Sequence, residues 1–161
     1  MLRLGALLLL LATTATPAPA PPPAWSWPTA SHAVVRGFEA PATVYAAGHR
    51  GVDVRATPGE PVRAVADGTV AFAGTVVDRG VVAIDHTGVR SSVEPVTPTV
   101  HAGDAVRRGD VIGRVATGGP HPAGVLHLGA RVRAGDGWVY VSPLLWLGGA
   151  RRAVLLPDSA W

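Results

Sequence analysis

The sequence contains no cysteine. That excludes disulfides, thiolate metal ligands and a cysteine-borne lipid anchor. Lysine is also absent, so all 14 basic residues are arginine. Aromatic residues are only 6% of the chain, and no basic run is interleaved with them, which argues against a nucleic-acid surface. No apolar run reaches the roughly 20 residues that a transmembrane helix needs. The longest, Leu4 to Ala12, follows Arg3 and is followed by small residues and prolines. A basic start, a short apolar core and small residues are the layout of a secretory signal peptide, expected over residues 1–20. An uncleaved anchor is the alternative. The expected location is therefore the cell envelope or the exterior. A net charge of +3 and a pI near 10.5 suit an anionic surface such as a cell wall.

What is present changes character along the chain. Residues 21–31 continue a Pro/Ala-rich stretch, "TPAPAPPPAWSWP", which reads as an extended linker. From residue 32 to 148, short Val-rich runs alternate with Gly-containing turns such as "ADGTV", "DRGVV", "HTGVR" and "AGDGW". Short strands at regular spacing predict an all-β domain. "GEPVRA" at Gly59 and "GDAVRR" at Gly103 echo one another, each just before an apolar strand. The echo predicts two related hairpin units, as in a barrel-sandwich hybrid, with an antiparallel sheet forming a groove. Residues 149–161 form a C-terminal tail.

Two segments carry the chemistry. In "VLHLGARV", alternation sends Leu126, Leu128, Ala130 and Val132 to one face and Val125, His127, Gly129 and Arg131 to the other. In "HRGVDVRA", Val52, Val54 and Ala56 fall on one side, and His49, Gly51, Asp53 and Arg55 on the other. A straight strand would hold His49 and Asp53 about 13 Å apart at ~3.3 Å per residue. A shared zinc ion needs each donor about 2 Å away, so the chain must bend, with Gly51 permitting a bulge or close turn. Two imidazoles and one carboxylate make a three-ligand site whose fourth position is open to water, the catalytic pattern for zinc. Two unrelated surface histidines are the alternative.

"GHRGVDVRATPGEPVRAVADGTVAFAG" resembles the opening of the lysostaphin/LytM-type zinc endopeptidases, with their H-x-x-x-D and G-x-P-V-x-A-x-x-D-G-x-V patterns. "VVAIDHTG", "VHAGDAVRRGDVIGRV", "VLHLGARV" and "YVSPLLWL" resemble later segments in the same order. The resemblance spans roughly Gly48 to Leu147. It implies a β-sheet groove enzyme that hydrolyses peptide bonds in peptidoglycan stems or bridges. It also implies His49, Asp53 and His127 as ligands of Zn²⁺.

Two positions depart from that pattern. Val125 stands where the family's H-x-H has its first histidine, and Pro95 stands where a "Y-x-H" segment has its histidine. Neither can transfer a proton, so the chain is expected to be a slow hydrolase or none at all unless other groups substitute. His121, on the Gly/Pro loop "GGPHPAG", and Glu94 are the candidates; an exposed loop histidine and a carboxylate paired with a nearby arginine are their plainer readings. Arg131 and His86 are candidate substrate contacts, against snorkelling for the first and a structural turn role for the second. His101 and His32 carry no signal, and Trp138 and Trp146 read as packing residues. The expected partners are peptidoglycan peptides. A non-hydrolytic module that binds wall peptide or regulates another wall hydrolase is the competing function. A lipoyl- or biotinyl-type carrier is excluded by the missing attachment lysine.

Overall fold

The computed structural model describes residues 24–43 and 46–147. The expected signal peptide and the C-terminal tail lie outside the described residues. Strand is the dominant structure, in eleven segments: β1 Val34–Arg36, β2 Gly51–Arg55, β3 Pro61–Arg63, β4 Gly68–Val76, β5 Arg79–His86, β6 Val89–Glu94, β7 Val96–Pro98, β8 Ala105–Val106, β9 Val111–Val115, β10 Val125–Ala134 and β11 Gly137–Val141. A single 3-10 turn, Pro143–Leu145, follows. Among the described residues no helix is long and apolar enough to cross a membrane.

The strands form two antiparallel sheets and no closed barrel. The larger runs β1-β2-β10-β6-β5-β4-β8, with β11 also paired to β10; the smaller is β3-β9-β7. β10 is the hub. One of its edges pairs with β6; the other pairs with β2 over Val125–Gly129 and with β11 over Ala130–Ala134. Val52 and Val54 of β2 and Leu126, Leu128 and Ala130 of β10 have no exposed surface. They meet Val62, Val96, Ile112 and Val115 of the smaller sheet in one apolar core. Burial of such side chains is worth about 1.5–3 kcal/mol each. That anchoring fixes the other face of β2 and β10, where the polar residues stand.

The two echoing segments take reciprocal places. Gly59 N–H donates to Val115 O (2.8 Å) and Val115 N–H to Glu60 O (2.9 Å); Gly103 N–H donates to Val70 O (2.8 Å) and Val70 N–H to Asp104 O (2.8 Å). Both glycines have positive φ, +87° and +95°, which L side chains rarely adopt. Each unit thus closes on the strand that follows the other.

The Pro/Ala-rich stretch joins the fold from Trp25 onward. Trp25 is buried, stacks on Trp146 with ring centroids 5.0 Å apart, and pairs with Leu147. Ser26 N–H donates to Val65 O at 2.8 Å.

Candidate metal centre

His49 precedes β2, where its backbone pairs with Glu39. Asp53 sits in β2 directly opposite His127 of β10. This unbroken register carries Asp53 and His127 onto one face of adjacent strands. The bend that brings His49 to them lies ahead of β2, and β2 has no bulge against β10. Gly51 has a different task from the one its position in the sequence indicates. A Cβ there would stand 2.6 Å from His127 Nε2 and collide with Leu128 O, so glycine leaves room for the His127 ring.

His49 Nε2 lies 3.0 Å from Asp53 Oδ1 and 3.0 Å from His127 Nδ1, and His127 Nδ1 is 2.9 Å from Asp53 Oδ1. All three residues are buried. His121 joins them from its Gly/Pro loop, with Nδ1 3.3 Å from Asp53 Oδ1 and its ring stacked on His127 at 4.6 Å. One donor atom from each of His49, Asp53, His121 and His127 falls within 4.8 Å of the others. Donors held about 2 Å from a tetrahedral ion are roughly 3.3 Å apart, so the spacing fits a cation.

Proton accounting allows the same answer. His49 Nδ1–H donates to Gly37 O at 2.6 Å. In the neutral ring Nε2 then carries a lone pair, yet it faces a carboxylate oxygen and another imidazole nitrogen at 3.0 Å. Either a proton on Nε2 or a cation shared by the three groups resolves the conflict. The backbone carbonyl behind His49 is the kind of outer partner that orients metal-ligating histidines.

The electrostatics follow from this packing. Burial works to raise the Asp53 pKa, but hydrogen bonds with His121 and His127 outweigh it and hold the carboxyl far below the ordinary range. His121 is pushed up to about 9 by its contacts with Asp53 and then Glu94. Burial pulls His127 below 6.5 despite Asp53.

Glu94, at the end of β6, lies with Oε1 3.4 Å from His121 Nε2. Its other oxygen is 3.1 Å from Arg79 Nε, an ion pair without a linear hydrogen bond. The Glu94 carboxyl is partly buried, which opposes ionisation, but these two partners bring its pKa below the usual value. Arg79 was not singled out in the sequence; it opens β5, which the tight turn after His86 folds back along β6, the strand that ends on Glu94.

Two clefts meet at His121. One, of about 620 Å³, is bounded by Arg36, Asp53, Arg55 and Val125. The other, of about 460 Å³, is bounded by His49, Arg79, Glu94, His127, Arg131 and Tyr140. Arg131 therefore lies at the rim of a cleft, with its guanidinium 5.5 Å from the Tyr140 ring centre. His86 does not line either cleft. It is buried, donates from Nδ1 to Asp67 O (2.7 Å), accepts at Nε2 from Ser91 Oγ (2.8 Å), and packs against Trp25. Val125 and Pro95 offer no titratable group to the centre. Trp138 lies between the guanidinia of Arg90 and Arg133 at 4.8 and 4.9 Å.

The model of peptidase family M23 matches residues 47–140. The chain belongs to peptidase family M23. It is 44% identical over 115 residues to an uncharacterized protein of Mycobacterium tuberculosis, covering 70% of this chain and 46% of that protein. This M23 chain thus spans about half the length of the curated relatives it matches. Among solved structures it resembles Helicobacter pylori Csd3, with a TM-score of 0.65 and 22% identity, over 80% of this chain and 36% of that one. It also resembles the catalytic domain of the antimicrobial peptidase lysostaphin from Staphylococcus simulans, with a TM-score of 0.53 and 26% identity, over 61% and 78% of the two chains. Family M23 groups zinc peptidases, and the four-residue cluster offers donors that could hold a metal ion.

Proposed function

We propose that this protein is an exported zinc metalloendopeptidase that hydrolyses peptide bonds in peptidoglycan stems or cross-links. The observation that carries the reading is the convergence of His49 Nε2, Asp53 Oδ1 and His127 Nδ1 within about 3 Å of one another, in a chain of family M23. Those three residues would hold Zn²⁺. Zinc bound there supplies Lewis acidity to a scissile carbonyl and to a water molecule.

The remaining work falls to the chain's own groups. Gly37 O fixes the His49 tautomer, and burial keeps His127 neutral, as a nitrogen ligand must be. His121 takes the proton-transfer role that Val125 and Pro95 cannot perform. Its Nδ1 points into the donor cluster, while Glu94 steadies the ring through Nε2. Arg79 in turn holds Glu94 ionised and in place. Arg131 is positioned to meet substrate at the cleft rim, whereas the engaged ring of His86 gives no support for substrate contact.

A second reading has its own observation. His121 Nδ1 lies close enough to the other donors to be a fourth ligand, and a tetrahedral site closed by four side chains is the structural pattern. The protein would then bind wall peptide or regulate another wall hydrolase. Zinc stoichiometry of the purified protein, with turbidity loss of purified peptidoglycan, tests both. Cleavage that requires zinc supports the enzyme; one tightly bound zinc without cleavage supports the module; no bound zinc overturns both.

A further inference from the structure

The geometry points to a substrate that carries a free carboxylate on each side of the metal cluster, one met by Arg55 and the other by Arg131. This inference rests on the proposed peptide-binding role and specifies the chemistry of the peptide.

The argument begins with strand register. Arg55 stands two residues beyond Asp53 on β2, opposite Val125, and Arg131 stands four residues beyond His127 on β10. Even spacing puts each on the same face as the ligand of its own strand. Because β2 and β10 are antiparallel, the two arginines lie in opposite directions from the cluster. At ~3.3 Å per residue they are about 7 Å and about 13 Å along the strands from it, so about 20 Å separates them. Each lines one of the two clefts that meet at His121. An extended peptide of about six residues spans that distance at the same rise.

Charge separates these two from the arginines that already have an acidic partner. Arg36 is paired with Glu39, Arg79 with Glu94 and Asp78, and Arg90 with Asp85. No carboxylate of the described residues lies within ion-pair distance of Arg55 or Arg131. Arg131 is also held against Tyr140, so its guanidinium is ordered before a ligand arrives, which lowers the cost of binding. A guanidinium matches a carboxylate through paired N–H donors. A phosphodiester polymer fits less well, since it favours a continuous cationic track and the acidic Asp53 and Glu94 stand between the two arginines.

The test is a binding measurement on the zinc-loaded full chain, so that it gives an answer even if the protein cleaves nothing. The probes are two fluorescent, amidated Ala/Gly peptides, one with glutamates at its first and seventh positions and the other with glutamines there. The diglutamate peptide is expected to bind about tenfold more tightly by fluorescence anisotropy. Arg55→Gln and Arg131→Gln should each remove most of that preference while zinc content stays at the wild-type value. Equal affinity for the two peptides overturns the inference. So does a preference that survives both substitutions, or saturable binding of inorganic polyphosphate with none of the diglutamate peptide. Zinc content and wall cleavage, measured separately, report on the peptidase reading alone.

Discussion

Glu94 Oε1 stands 3.4 Å from His121 Nε2, on the opposite side of the ring from Asp53. The ring is thus held between two carboxylates, one inside the donor cluster and one outside it. If His121 moves protons, His121→Ala lowers peptidoglycan cleavage by about 10²- to 10⁴-fold and leaves zinc affinity within a few-fold. If His121 is a ligand, the same variant loses zinc. Glu94→Gln keeps the zinc and lowers the rate by less than His121→Ala, since it loosens the ring without removing it. Isothermal titration with zinc and a turbidity assay separate these outcomes.

His127→Ala is expected to lower zinc affinity at least ~100-fold while the protein stays folded, the order of loss that follows disturbance of a metal site. The core contacts of β10 come from Leu126, Leu128 and Ala130, which this change leaves alone. Unaltered metal content in the variant counts against the assignment. Circular dichroism confirms the fold.

Gly51→Ala places a methyl group where the His127 ring now rests. Overpacking of this kind costs about 1–3 kcal/mol, and the ring must also leave the cluster. The variant should therefore lose both thermal stability and zinc affinity. Gly88→Ala serves as a control: its Cβ meets nothing within 4 Å, although its φ of +78° adds some strain. It should lose stability without losing zinc.

Zinc held by residues from separate segments would bind only the folded chain and stabilise it by mass action. At a free concentration of 100 times Kd the gain is about 2.7 kcal/mol. Chelation should lower Tm, and restored zinc should return it. A Tm indifferent to both treatments would show that no ion binds the native state.

His86 sets a pH dependence away from the metal centre. Burial is the main cause of its lowered pKa, against the raising effect of its bond to Asp67, so the folded protein accepts a proton less readily than the unfolded chain does at 6.5. The unfolded state therefore binds more protons below that value, and stability rises with pH there. The contribution is complete above about 6.5 and is lost as pH falls from there to the depressed folded value. His86→Gln should show a shallower decline of stability over that interval. NMR titration of the imidazole gives the folded value directly.

Much of this is legible in the sequence. The alternation in "VLHLGARV" and "GVDVR" separates core valines and leucines from His127 and Asp53, because a strand has only two faces. The echo at Gly59 and Gly103 marks backbone positions with positive φ, which few other residues take. The purpose of Gly51 was not legible, since the ring it accommodates lies 76 positions away in sequence. Nor was the fate of His86, whose turn sequence says nothing of Trp25 closing over it. Trp25 itself sits in a stretch whose prolines indicate linker, and only its burial against Trp146 shows that it belongs to the domain. The approach of His121 to the cluster depends on the path of a glycine-rich loop, which local sequence constrains weakly. The pairing of Glu94 with Arg79 depends on the register of the β5–β6 hairpin, which brings its two far ends together.

The opposition of Asp53 and His127 across β2 and β10 has a further result. A slip of one residue between those strands would turn one of the two side chains toward the hydrocarbon interior. A chain assembled out of step would therefore have no nest for the ion and would forgo its stabilisation. Were a metal held there, its occupancy would double as an inspection of how the ribbon was laid down.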